Sequence, residues 1–295
     1  MNFLDVKTDY AFKKVFASPG SKPLLIDFLN SLLDYPAERK ITDLTIVDPY
    51  QIPLLVGMKD SYVDVKATLQ DGKQVIIEMQ VLNYKGFEQR VLFNAAKAYS
   101  TQLQKGEDYQ LLNPIIAITL TDFNLFSTPD LISYFKLIEK KHLIEYSDDI
   151  ELIFVELTKF NLNQDQLVDN KDRWLYFIKN AGQLHEIPAV LANQSFIQQA
   201  FEIVNEAGLS LEELELQHKR HDFIYMQKQS LILAEEKGLE KGLEKGLVQG
   251  LEAGEKIGAE KTKINIAKQL LELLDDETIA QKTGLDIAQV QALRL

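Results

Sequence analysis

Residues 62–81 read YVDVKATLQDGKQVIIEMQV, two runs of alternating apolar residues flanking Asp71-Gly72, with Asp64 in the first run and Glu78-Met79-Gln80 in the second. Alternation of this kind marks β-strands, and a glycine-containing loop between two such runs marks a hairpin. Successive strand side chains point to opposite faces, so Glu78 and Gln80 share one face, while Val75, Ile77, Met79 and Val81 read as the core side. Loop parity decides whether Asp64 joins Glu78, because directly opposite residues of an antiparallel pair share a face. A two-residue Asp71-Gly72 loop would pair Asp64 with Met79. A three-residue loop, Gln70-Asp71-Gly72 with Gly72 left-handed as a bulge, would pair Asp64 with Glu78 and Tyr62 with Gln80. The three-residue loop is expected. Two facing carboxylates repel, and a hard divalent metal with oxygen ligands turns that repulsion into a binding site. By itself the D…ExQ spacing also describes a solvated polar strand face.

Outward from the hairpin, helical and strand signals alternate over residues 1–160. Helices are expected at 5–16, 22–33 and 85–104, and strands at 114–121, 132–137 and 150–157. That pattern is an α/β sandwich with a mixed central sheet. From residue 163 onward amphipathic helical patterns dominate, so 161–233 reads as a helical lobe with Trp174, Tyr176 and Phe177 in its core.

The opening KTDYAFKKVF (7–16), the hairpin segment DVKATLQDGKQVIIEMQ (64–80), QRVLFNAAKAYSTQL (89–103), GEDYQLLNPIIAITLTDFNLF (106–126) and VELTKF (155–160) follow one another in a specific order and spacing. Together with a glycine-punctuated tail, they resemble the Rpn family of recombination-promoting nucleases and putative transposases, part of the PD-(D/E)xK superfamily. The resemblance implies a restriction-endonuclease-like α/β core with a mixed central sheet flanked by helices. It also implies a divalent-metal-dependent DNA endonuclease linked to recombination or mobile elements.

By that resemblance the first acidic ligand falls on Asp64 and the carboxylate of the E-x-K element on Glu78, with Mg²⁺ or Mn²⁺ as cofactor and the backbone carbonyl of Met79 completing the metal shell. The lysine position holds Gln80, a form this family accepts. Glutamine can hold a water by hydrogen bonding, but it carries no charge and cannot act as a base at neutral pH. Lys66, two residues from Asp64 on the same strand face, is a candidate for the missing cation. Asp9 falls in the first expected helix, whose counterpart in the superfamily often contributes an acid; it also reads as an exposed helix carboxylate. Arg90 and Tyr99 are nine residues apart, about 900° around a helix, and cannot both face one site. Arg90 is the candidate phosphate clamp, and Tyr99 reads as a core or edge aromatic. Of the four histidines only His218 and His221 are close in sequence, too thin a pattern for zinc.

The chain has 295 residues and no cysteine, so disulfides and thiolate metal sites are excluded. No apolar run approaches the ~20 residues that span a bilayer, and the N-terminal stretch lacks the basic and apolar regions of a signal peptide. A cytoplasmic protein without membrane contact is expected. A net charge of −12 opposes binding to a polyanion, but the acidity is uneven. Residues 1–105 hold 13 Lys+Arg against 12 Asp+Glu, and the remainder holds 19 against 32. A nearly neutral nuclease half implies weak, salt-sensitive DNA affinity, helped by oligomerisation or a partner.

The segment 234–263 has glycine at 238, 242, 246, 250, 254 and 258 and leucine at 239, 243, 247 and 251. Six interior glycines lower helix stability by roughly 5–6 kcal/mol relative to alanine. Close helix–helix contact would offset this, so a homo-oligomerising helix is expected, and the interleaved Glu and Lys exclude a membrane span. Residues 264–295 end in a helix-turn-helix-like pattern in which Gly284 makes the turn and Asp286 caps the second helix. With Arg294 its one arginine, it reads as a protein-contact or folding element rather than a DNA reader. Two other readings of the chain are a nuclease fold that has lost catalysis and serves as an interaction or regulatory module, and a helical scaffold whose tail is the working part.

Overall fold

In the computed structural model, which describes residues 2–51 and 61–294, residues of the quoted stretch form neighbouring strands of a six-stranded mixed sheet. The strands are β1 (Leu44–Val47), β2 (Tyr50–Gln51), β3 (Ser61–Tyr62), β4 (Val65–Leu69), β5 (Gln74–Gln80), β6 (Ile115–Thr121), β7 (Ile132–Glu139) and β8 (Ile144–Glu156). The sheet order is β1-β4-β5-β6-β8-β7, and β2 pairs with β3 apart from it. The central pairs β5/β6 and β6/β8 are parallel, and the outer pairs are antiparallel.

The hairpin register is that of the three-residue loop: Val65 pairs with Ile77 and Thr68 with Gln74. Gly72 has φ +88°, and its N–H donates to the Leu69 carbonyl at 3.0 Å. The expected pairing does not continue past Val65, however. Asp64 lies at a bend, and its N–H donates to the Ile77 carbonyl at 3.1 Å, so Asp64 and Val65 are both drawn toward Ile77. Tyr62 pairs with Tyr50 and not with Gln80. This irregularity is of the β-bulge kind, which bends a strand and re-aims a side chain.

The helices of the first part of the chain are α1 (Asp9–Phe16), α2 (Lys22–Leu33), α3 (Phe87–Ser100), α4 (Asn170–Asn180), α5 (Ala189–Ala192) and α6 (Ser195–Ile203). The first starts at Asp9, later than residue 5, because the Thr8 hydroxyl accepts from the Ala11 N–H as its cap. One sheet face packs on α1, α2, α4 and α6 through Phe12, Phe16, Phe28, Trp174, Phe177 and Phe201. Trp174 and Phe177, expected in the core of a helical lobe, are buried in this cluster. On the opposite face α3 packs Ala95 and Ala98 against Val63, Ile76, Ile115 and Ala117. Covered on both faces, β6 is buried along its whole length, which accounts for its unbroken apolar run.

The start of the chain is stitched to residues near 205. Phe3 forms an antiparallel bridge with Asn205, the Leu4 N–H donates to the Val204 carbonyl at 2.9 Å, and the Glu206 N–H donates to the Asn2 carbonyl at 3.0 Å.

The chain divides into two compact units, Met1–Gln227 and Lys228–Leu295. Helix α7 (Leu211–Leu270) begins in the first and runs into the second, which also contains α8 (Asp276–Thr283) and α9 (Ile287–Ala292). In the second unit Ala267, Ile279, Leu285 and Val290 make a small core. Gly284 closes α8 with φ +69°, and Asp286 caps α9 in a capping box with Gln289. Arg294 is held by the Asp276 carboxylate at 2.6 Å and by the carbonyls of Leu271 and Leu274 at 2.6 and 3.0 Å, an internal tie. Among the described residues, no helix is long and apolar enough to cross a membrane.

Candidate active site

The C-terminal end of β5, the bend at Asp64, α1, α3 and the first turns of α7 enclose a cleft of about 340 Å³. Asp9, Lys13, Asp64, Glu78, Gln80, Arg90 and Arg220 line it, together with Val81, which was expected on the core face.

Glu78 is 5% exposed, and helix α3 occupies both of its oxygens. Asn94 Nδ2 donates to Oε1 at 2.6 Å and Arg90 Nη2 to Oε2 at 2.9 Å. The two donors are four residues apart and therefore stacked on one helix face. Burial raises the Glu78 pKa, and Arg90 and Asn94 offset this only in part. Arg90 Nη2 also donates to Gln80 Oε1 at 3.2 Å, while Gln80 Nε2 donates to the Leu82 carbonyl at 3.0 Å. The Gln80 amide is thus tied at both ends. Tyr99, out of phase with Arg90, packs beside the cluster under α3, as its position on the helix required.

The second half of the cleft is built on α1. The Met79 N–H donates to Asp64 Oδ2 at 2.8 Å, which fixes the carboxylate that the bend has turned away from the β4 face. Lys13 Nζ lies 3.3 Å from Asp64 Oδ1 and 2.7 Å from Asp9 Oδ1, and Arg220 Nη2 lies 3.3 Å from Asp9 Oδ2. Asp9 and Asp64 thus face one shared ammonium, that of Lys13. Burial, followed by the contact with Asp9, pushes Asp64 up to about 7, against the pull of the Met79 N–H and Lys13. Asp9 is also penalised by burial, but its contact with Asp64 and the cations Lys13 and Arg220 outweigh that and hold it below the usual carboxylate range. Their proximity thus drives the two carboxyls apart, Asp64 upward and Asp9 downward.

Asp9, Asp64, Glu78, Gln80 and Arg90 thus meet in one cleft, with the Met79 backbone beside them. Lys66 does not line it; burial lowers its pKa, and its electrostatic partner is Asp48. The bend at Asp64 separates two side chains that an unbroken strand would keep on one face. Missed from sequence were Lys13 of the cleft, Asn94 behind Glu78, and Arg220 of the cleft. The first two had a signal, since Lys13 is four residues after Asp9 and Asn94 four after Arg90. Arg220 had none, being brought to Asp9 across 211 residues.

Among the described residues, no three His, Asp or Glu side chains gather closely enough to hold an ion as they stand. The donors that do meet, Asp9, Asp64 and Glu78, are all hard oxygens, the class suited to Mg²⁺, Ca²⁺ or Mn²⁺ and unsuited to soft metals. The chemistry of the donor set fits a hard divalent ion.

Comparison with known proteins gives one finding of family. The model for the PD-(D/E)XK nuclease family transposases matches residues 6–234, a span that holds every cleft residue named above. No curated protein and no solved structure matches the chain.

Proposed function

Given that the chain belongs to the PD-(D/E)XK nuclease family transposases, we propose that its cleft is the active site of a divalent-metal-dependent DNA endonuclease acting in recombination or on mobile elements. The observation that carries this reading is that Asp9 and Asp64 line one cleft with the buried Glu78, both within reach of Lys13. Three carboxyls lining one cleft, with Asp64 pushed up to about 7, are unfavourable for a folding core and suited to holding a hard cation.

In this proposal Asp64 and Glu78 hold Mg²⁺ or Mn²⁺, with Asp9 and the backbone carbonyl of Met79 as further oxygen donors. When bound, the ion supplies a Lewis acid that eases deprotonation of the attacking water and offsets charge building on the phosphate. Arg90, with a planar guanidinium, and Lys13 supply positive charge for the scissile phosphate. The cationic part that the sequence suggested for Lys66 passes to Lys13. Gln80 does not serve as a base; its bond to Arg90 orients that guanidinium.

The test is nicking of supercoiled plasmid at low salt by wild type, Asp64→Ala and Glu78→Ala with Mg²⁺, Mn²⁺, Ca²⁺ or EDTA. Metal-dependent nicking lost in both variants is expected. One specific observation favours a second reading, a nuclease fold used only for interaction: position 80 lacks the lysine, and Arg90 already occupies Glu78 Oε2. An inactive wild type under every condition would select it.

We further propose self-association through residues 234–263. Leu239, Leu243, Leu247 and Leu251 are each at least 60% exposed, and nothing lies within 4 Å of where a Cβ would stand at the six intervening glycines. Such a surface supports close approach of another helix.

A further inference from the structure

A second cavity, of about 250 Å³, opens between the start of α1, the turn at 181–183 and α7. Its floor is Phe3, 4% exposed and packed edge-on against Phe201 at 5.0 Å. One wall exists because residue 182 is glycine, as a Cβ there would come 2.7 Å from the Asp5 Cα. His218 and His221 stand at its rim, both exposed.

The informative group is Gln217. It is 5% exposed, lines the cavity, and meets no hydrogen-bond partner at either Nε2 or Oε1 among the described residues. Burying an unpaired amide costs about 1–3 kcal/mol per polar atom, so the site is built to be completed. What completes it must offer a donor and an acceptor side by side. The charges around it disfavour an anion: Asp5 is paired with Lys7 at 3.0 Å, and Glu206 adds a carboxylate. The volume lies below the roughly 300–1,000 Å³ of pockets for drug-sized ligands, which suits one planar ring system. A floor phenyl and rim imidazoles add aromatic surface for it. Three converging features, a side-by-side donor and acceptor, a flat neutral shape and aromatic surroundings, describe the edge and face of a nucleobase.

The cavity adjoins the catalytic cleft. Thr8 lines the one and Asp9 the other; on α7, Gln217 and His221 line the cavity while Arg220 and Ile224 line the cleft. Gln217 and Arg220 are separated by about 5 Å along the helix axis. We propose that this cavity binds an unpaired nucleobase through the Gln217 amide, gripping a strand whose backbone lies in the adjoining cleft. The inference rests on the nuclease reading for the source of the base and on the cavity alone for its chemistry.

The probe is a labelled strand of abasic spacers carrying a single adenine, compared with the same strand carrying none, by fluorescence anisotropy in EDTA with the full chain. Wild type is expected to bind the adenine strand roughly tenfold more tightly, within the range of one bidentate pair. Gln217→Leu should erase the preference, and His218→Ala/His221→Ala, at exposed positions, should reduce it without affecting the fold. Free adenosine competing in a Gln217-dependent way identifies a nucleoside as the source, whereas a preference confined to strands identifies DNA. Equal binding of both strands by wild type, with no competition by adenosine, overturns the proposal. The two readings fail separately: nicking without any base preference removes the cavity proposal alone. A Gln217-dependent preference without nicking removes the nuclease alone.

Discussion

Replacing Asn94 by alanine removes the donor that reaches Glu78 Oε1 at 2.6 Å, at a position where Asn94 is 1% and Glu78 5% exposed. A hydrogen bond to a charged group contributes about 1.5–3 kcal/mol, and its loss leaves a buried carboxylate with Arg90 as its one remaining donor. The effect must depend on pH. The pKa of Glu78 is already raised by burial, and Asn94 is one of the groups pulling it down, so the variant raises it further. Near pH 4.5, the ordinary value of the group, Glu78 is more protonated in the fold than in the unfolded chain, and the charged bond is weakened in both proteins. As the pH rises towards 8 the carboxylate form gains weight, and the variant should be destabilised by up to about 2 kcal/mol more than at the lower pH. The cavity left by the missing amide contributes equally at both values and cancels in the difference. Trp174 makes the assay specific, because it is the single tryptophan and fully buried in the core of the first unit. Its fluorescence during urea unfolding in EDTA reports that unit alone, which avoids treating a two-unit chain as one transition. A midpoint shift of equal size at both pH values would refute the argument that Asn94 acts on the charge of Glu78.

Asp64→Asn should stabilise the metal-free protein. The folded-state value of Asp64 is raised from 3.8 to about 7, so the wild type is unburdened below about pH 4 and bears the full penalty above about pH 7. The variant should therefore melt higher than wild type at pH 8 in EDTA, equally at pH 4, and lose plasmid nicking throughout. Mn²⁺ should raise the melting temperature of wild type at pH 8 and leave that of Asp64→Ala unchanged, read by Trp174 fluorescence. Gly72→Ala forces a side chain into φ +88° with its Cβ 2.5 Å from Asn113 Oδ1. A loss of about 1–2 kcal/mol is expected from urea midpoints. Leu243→Glu with Leu247→Glu should reduce the sedimentation coefficient to that of a monomer while the Trp174 transition stays fixed.

Local rules carried the hairpin and its three-residue loop, since Gly72 and the alternation of residues 62–81 contain that information in a short window. The helix phase of Arg90 against Tyr99 was equally local, and both side chains lie where 100° per residue put them. Asp64 was identified, but its direction was not. The bulge that turns it toward α1 depends on the separate pairing of Tyr62 with Tyr50 and on the Met79 N–H, neither of which alternation encodes. The same turn removed Lys66 from the cleft. Strand β1 was not anticipated because a four-residue edge strand has too few alternations to stand out from a loop. Arg220 belongs to the class of residues that only the folded chain can reveal, as α7 is helical throughout and its sequence does not say which turn meets α1.

The stitching of the first residues to those near 205 sets an order of assembly during synthesis. Asp64, Glu78 and Arg90 leave the ribosome long before Val204 and Asn205 exist to receive Leu4 and Phe3, and before α7 can bring Arg220 to Asp9. At about 5–20 residues per second, more than a hundred intervening residues impose a wait of roughly five to thirty seconds. A nascent chain therefore carries Asp64 and Glu78 unassembled while those residues are made, and the cleft is completed only once Arg220 has followed.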